Sequence, residues 1–272
     1  VSELWKVEGA GNDFLLGTGV WAERLAEDPG LVRRLCRRRL GIGADGTLAV
    51  FPEGPGRVRL VYRNADGSEA GFCANGTRCA ARAAVEALGL PPRLEVLTDR
   101  GPVAAEVDGE RVALELPEPE VPPEPVHLEA AGRTWEGWFA VVGVPHLVLP
   151  VEGLEGFDLA AAGPALRAHP ALGAEGANVN LVEARPDGGL SVRSYERGVE
   201  GETLSCGSGV VAAALAWLAA RGGRRLACAV RSGDTLEVEA LGAPPACRSR
   251  LIGPARWVAR LEPSEELLAP AR

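Results

Sequence analysis

The feature that most restricts what this chain can fold into is an internal repeat, because a repeated order of motifs dictates two like halves whatever the local propensities. Gly11-Asn12-Asp13-Phe14-Leu15 recurs as Gly143-Val144-Pro145-His146-Leu147 at an offset of 132 residues. Gly43-Ala44-Asp45-Gly46-Thr47-Leu48 recurs as Gly176-Ala177-Asn178-Val179-Asn180-Leu181, and Cys73-Ala74-Asn75-Gly76 as Cys206-Gly207-Ser208-Gly209, both at 133. Two homologous halves follow. The stretch Pro117 to Pro125, five prolines in nine residues, can continue neither a helix nor a central strand and is expected to join them. The expected domains are 1–116 and 117–260.

Each half mixes strands with one long helix. Alternation and turn-rich flanks predict strands over 58–62, 94–98, 103–107 and 112–116, and again over 190–195, 227–231 and 235–240. Ala- and Leu-rich runs after the cysteine motifs predict helices over 77–88 and 210–221, each stopped by glycine. These helices are apolar on nearly every face, so each is expected to be buried. The class is α/β in the α+β sense, with two pseudosymmetric strand-rich domains.

Composition removes several function classes. The formal net charge of −8 lacks the basic footprint of a nucleic-acid binder. The longest apolar run, Val210 to Ala220, is short of the roughly 18 residues a membrane helix needs. Without a basic-then-apolar leader pattern the expected location is the cytoplasm, where six cysteines read as free thiols. No Cys-x-x-Cys pair exists and histidine occurs only at 127, 146 and 169, so no metal site is expected. No pyridoxal signature is visible, the only lysine being Lys6, and no cofactor is expected. Asparagine occurs only at 12, 64, 75, 178 and 180, and glutamine is absent. Where such a chain retains an amide, chemistry is a reason to retain it.

Cys73 and Cys206 hold the same place in the two copies, directly ahead of a helix. The positive end of the helix dipole favours thiolate there, and the adjoining glycines leave backbone N–H groups open to an anion. If the halves face one another, one sulfur would lie on each side of a substrate. Two-base racemisation needs that arrangement: one sulfur removes an α-proton and the other returns a proton to the opposite face. Cys36, Cys79, Cys228 and Cys247 read as structural. Asp45 and Asn180 read as turn or capping residues.

The segments Lys6 to Phe14 (KVEGAGNDF), Asn64 to Cys79 (NADGSEAGFCANGTRC), Gly176 to Asn180 (GANVN) and Tyr195 to Gly209 (YERGVEGETLSCGSG) resemble the diaminopimelate epimerase family. The resemblance implies a barrel-like sheet around the central helix of each domain, with residues 261–272 packing back on the first. It implies that Cys206 takes the proton from the LL isomer while Cys73 donates, with His146 and Glu196 tuning the thiols. It further implies that Ala74, Asn75, Gly207 and Ser208 hold the reacting carboxylate of a small amino-acid substrate. Asn12, Asn64, Asn178, Glu196 and Arg197 would contact the rest, in a protein whose possible assembly is a homodimer. Where the family carries Gly-Asn-Pro-His, this chain has Gly143-Val144-Pro145-His146, replacing an amide with hydrocarbon. That change favours a second reading, a racemase of another amino acid of the proline or hydroxyproline kind. A third is a non-catalytic or isomerase-type relative, which would be expected to lack a motif cysteine.

Overall fold

The structure, a computed structural model, describes residues 2–69 and 71–269. Residues up to Leu114, together with those from Gly253 onward, form one compact unit, and Glu115–Ile252 form the other. The first unit contains β1 (Leu4–Gly9), β2 (Asn12–Thr18), β3 (Gly46–Pro52), β4 (Arg57–Asn64), β5 (Arg93–Thr98), β6 (Gly101–Asp108), β7 (Arg111–Leu116) and, returning at the end, β17 (Arg256–Arg260). They pair in the order β17-β1-β2-β3-β4-β5-β6-β7. Only β2/β3 and β4/β5 are parallel. A parallel pair needs a long crossover. Helices α1 (Val20–Glu27) and α2 (Pro29–Cys36) make the first, and α3 (Ala74–Glu86) the second. The sheet wraps α3, which lies against β1 through β6.

The second unit repeats the plan. Its strands are β8 (Val121–Ala130), β9 (Arg133–Val142), β10 (Val144–Pro150), β11 (Asn178–Ala184), β12 (Leu190–Glu196), the short β13 (Gly201–Thr203), β14 (Arg225–Ala229), β15 (Thr235–Ala240) and β16 (Ser249–Pro254). The order is β8-β9-β10-β11-β12-β14-β15-β16, with β13 also pairing on β12. The parallel pairs are again the third and fifth, β10/β11 and β12/β14. Their crossovers carry α4 (Leu159–Arg167) and α5 (Gly207–Arg221). Nearly every residue of α5 from Gly207 to Leu218 is buried, which is what an all-round apolar helix requires.

Three expectations shift. Pro122, Pro123 and Pro125 lie inside β8, where a plain connector was expected. The strand stands at the end of its sheet's order, and its register slips between Val121 and Glu124, so Pro122 and Pro123 fall where the ladder is interrupted, while Pro125 stands opposite Trp138. The segment belonging to the first unit starts at Gly253, so residues 253–260 leave the expected 117–260 domain because β17 pairs along β1. Leu261, Leu267 and Leu268 also pack on the first unit's core; residues 270–272 lie outside the described residues. Finally, α3 begins three residues before Thr77, because Cys73 caps it and Ala74-Asn75-Gly76 make its first turn.

Candidate active site

In the first unit the site starts from a two-residue hairpin turn. Ala10 and Gly11 both have positive φ, 55° and 87°, the conformation of a type I′ turn. The turn sets Asn12 at the start of β2, opposite Gly9. Gly9 suits the close approach of α3, since a Cβ there would lie a tight 3.0 Å from the Asn75 carbonyl oxygen. Asn12 Nδ2 donates to Asp45 Oδ2 at 2.7 Å. The amide is thereby turned so that Oδ1 faces Cys73 Sγ at 3.4 Å and Asn75 Nδ2 at 3.5 Å. A carbonyl oxygen only accepts, so this contact favours the protonated thiol of Cys73. Cys73 Sγ also accepts from Gly76 N at 3.5 Å, as the cap of α3.

Asp45, expected to be a simple turn residue, belongs to an ion network behind Asn12. Arg38 bridges Asp45 and Asp13 at 2.7 Å each. Lys6 pairs with Asp13 at 2.5 Å and donates to the Gly43 carbonyl, so the only lysine is a scaffold residue. Burial pushes the Asp13 carboxyl up, but hydrogen bonds and charge from Arg38 and Lys6 outweigh it and hold the group down at about 2. A depressed carboxyl stabilises the fold above its unfolded value and loses that contribution as pH falls through the folded one. Asp13→Asn is therefore expected to be less stable by about 2 kcal/mol at pH 6. The difference should fade between pH 3.8 and 2. Urea unfolding at several pH values checks it, and a difference independent of pH would refute it.

Behind Cys73, Arg78 is fully buried on the second turn of α3. It donates to Asn75 Oδ1 at 2.7 Å and to the Pro254 carbonyl at 3.1 Å. Asn64, at the end of β4 opposite Gly46, donates from its amide to Ser68 Oγ at 3.0 Å.

In the second unit Cys206 holds the N-cap position of α5, as Cys73 does for α3 but without a side-chain cap bond, and its Sγ lies 3.7 Å from Ser208 Oγ. Ser208 Oγ lies 3.0 Å from His146 Nε2, and His146 Nδ1 lies 3.2 Å from Asn180 Nδ2. Burial, with the Arg197 charge adding to it, pushes the His146 imidazole down to about 3, so His146 is neutral. Asn178 Oδ1 accepts from the Arg197 backbone N–H at 2.8 Å, and Arg197 Nη1 reaches Glu175 at 2.6 Å. Glu196 accepts from the Thr203 hydroxyl across β12 and β13.

The remaining thiols differ in kind. Cys36, Cys79 and Cys228 are buried, and burial pushes each up to about 12; Cys247 is raised for the same reason. Such sulfurs stay protonated and inert at neutral pH. Sequence reasoning missed Asp45, Arg38, Arg78, Asn180 and Ser194 as parts of the site. For Asn180 a signal was present, since it is the one asparagine of five left without a substrate role.

A solved hydroxyproline epimerase from Agrobacterium vitis matches the chain with a TM-score of 0.68 at 18% identity, covering 96% of this chain and 90% of that one. The fold is thus the one that epimerase has. The sequence model of the diaminopimelate epimerase family matches residues 4–119 and 138–257. The diaminopimelate epimerase of Gemmatimonas aurantiaca is 38% identical over 213 residues, 77% of each chain. That of Methanothrix thermoacetophila is 37% identical over 284 residues, covering 98% of this chain and 97% of the relative. The chain belongs to the diaminopimelate epimerase family, and it is an isomerase, as the motif resemblance implied.

Proposed function

We propose that the enzyme interconverts LL- and meso-diaminopimelate by two-base proton transfer, in the cytoplasm, on the way to lysine and peptidoglycan. One observation carries this reading: of six thiols, only Cys73 and Cys206 sit at the start of a long buried helix, one in each repeated half. A helix start supplies unpaired N–H groups and positive potential, which suit both a thiolate and a substrate carboxylate. The Cys206 thiolate takes the α-proton of the LL isomer and becomes a thiol. The Cys73 thiol gives its proton to the opposite face and becomes a thiolate, so the sulfurs exchange states with each turnover. Backbone amides of Ala74, Asn75, Gly207 and Ser208 hold the reacting carboxylate. Asn12, Asn64, Asn178, Glu196 and Arg197 contact the remainder, Arg197 suiting the distal carboxylate as a planar two-pronged donor. The reading requires both sulfurs to reach one carbon.

Epimerisation assays under reducing conditions on diaminopimelate, proline and trans-4-hydroxyproline test it. Turnover of diaminopimelate alone is expected. Turnover of a proline-type substrate with none of diaminopimelate would transfer the function to the racemase reading.

Val144, which starts β10 directly after Gly143 (φ 72°), replaces a family amide. A distal polar group left unpaired costs about 1–3 kcal/mol. Val144→Asn is expected to lower KM and raise kcat/KM on diaminopimelate roughly tenfold, with kcat little changed because the contact is remote from the reacting carbon. A lower kcat/KM would show that Val144 suits the natural substrate.

A further inference from the structure

Hydrogen-bond direction around Cys206 can be traced from a group that permits one direction only. The backbone carbonyl of Leu147 can only accept, and it faces Asn180 Nδ2 at 3.4 Å. The Asn180 amide is therefore oriented with its NH2 toward β10 and its Oδ1 toward β12. There Oδ1 accepts from the Ser194 hydroxyl at 2.9 Å. Gly209 keeps the orientation tight, since a Cβ there would lie 2.1 Å from Asn180 Oδ1. His146, Asn180 and Ser194 are all buried, so these bonds are shielded from bulk solvent. The second amide hydrogen points at His146 Nδ1, 3.2 Å away, which must then be the bare nitrogen. A neutral imidazole carries its proton on the other nitrogen. Nε2–H accordingly donates to Ser208 Oγ at 3.0 Å, leaving the Ser208 proton free to point at Cys206 Sγ, 3.7 Å away.

We propose that Asn180 is a positioning residue, anchored by Leu147 and Ser194, which holds His146 as the Nε2–H tautomer and so aims the Ser208 hydroxyl proton at Cys206 Sγ. This deepens the two-thiol reading and rests on it: a donor aimed at sulfur favours the thiolate at Cys206, whereas Cys73 meets an amide oxygen. Beside its cap bond from Gly76 N, Cys73 meets an acceptor where Cys206 meets a hydroxyl. Asn180 acts through His146 and Ser208.

Replacing Asn180 by aspartate keeps its shape and the Ser194 bond but turns the donor toward His146, and toward the Leu147 carbonyl, into an acceptor. A carboxylate beside Nδ1 holds the proton there, and a bare Nε2 then accepts from a serine hydroxyl, the polarity of a serine-hydrolase triad. The Ser208 proton should turn away from Cys206. The first measurement is 15N NMR of histidine-labelled protein, with His146 assigned by comparison with a His146→Gln sample. Nε2 protonated and Nδ1 bare is expected in the unmodified protein, and a protonated Nδ1 in Asn180→Asp. The second is kinetic: Asn180→Asp should lower kcat about tenfold or more with KM within about twofold, because Asn180 bonds to His146, Leu147 and Ser194 rather than to substrate. Ser194→Ala, which loosens the anchor without touching His146, should lower kcat in the same direction by a smaller factor. A protonated Nδ1 in the unmodified protein overturns the proposal, as does an unchanged tautomer or unchanged kcat in Asn180→Asp. If that variant does not fold, an unchanged kcat in Ser194→Ala overturns it. A protein inactive on diaminopimelate would defeat the reading above, while the tautomer measurement would still decide this one.

Discussion

Cys73→Ala and Cys206→Ala are each expected to lose racemisation by at least about 10³-fold, in line with removal of a positioned acid or base. Inversion of a carbon needs a proton removed from one face and delivered to the other. One remaining sulfur can at most exchange the proton on its own side. Neither substitution should unfold the protein, since Cys206 makes no side-chain cap bond and that of Cys73 to Gly76 N is long, at 3.5 Å. Serine variants should be folded and still very slow, because the higher pKa of the hydroxyl makes a poor base. Near-normal turnover by either alanine variant would contradict the two-base assignment. The same substitution at Cys228, which is buried with its thiol held up at about 12, should leave turnover unchanged.

Arg78→Met should produce the largest loss of stability, about 3 kcal/mol, or a Tm lower by roughly 5–10 °C. The guanidinium is fully buried and donates to the Asn75 amide and the Pro254 carbonyl. Methionine replaces the volume but leaves two buried acceptors without these donors, at about 1–3 kcal/mol each. Arg78→Lys should not restore the fold, because one ammonium cannot reproduce two directed bonds from a planar fork. Activity should fall beyond the stability effect, since Asn75 would lose the bond that turns its NH2 toward Asn12. A Tm within 2 °C of the unmodified protein would show that the buried arginine is dispensable.

What could be read beforehand follows from which interactions are local. The repeat of three motifs at nearly one spacing anticipates two halves with the same strand order, because strand order follows chain order when the crossovers match. The helices after Cys73 and Cys206 are visible because Ala- and Leu-rich runs ending in glycine need no partner to be recognised. Pro122 and Pro123 mislead for the opposite reason: proline forbids a central strand, and β8 escapes by lying at the end of its sheet. The family resemblance implies a return to the first domain, but its start at Gly253 is hidden, because β17 pairs with a strand some 250 residues earlier and pairing of that range leaves no local pattern. Asn180 looks like a turn residue until β10 and β11 pair in parallel, placing it opposite Val148 and beside the His146 ring. Hydrogen-bond direction is legible only once the acceptor-only carbonyl of Leu147 is located.

The central claim, two thiols acting on opposite faces of one diaminopimelate carbon, is tested most directly by isotope placement. LL-diaminopimelate is incubated with reduced enzyme in deuterated water, and both isomers are isolated early in the reaction. Each thiol carries a single proton, so the account predicts that the first meso product bears one solvent deuterium at the inverted carbon, while the remaining LL substrate bears almost none. Equal deuterium in both isomers from the start would indicate one base serving both faces and would contradict it.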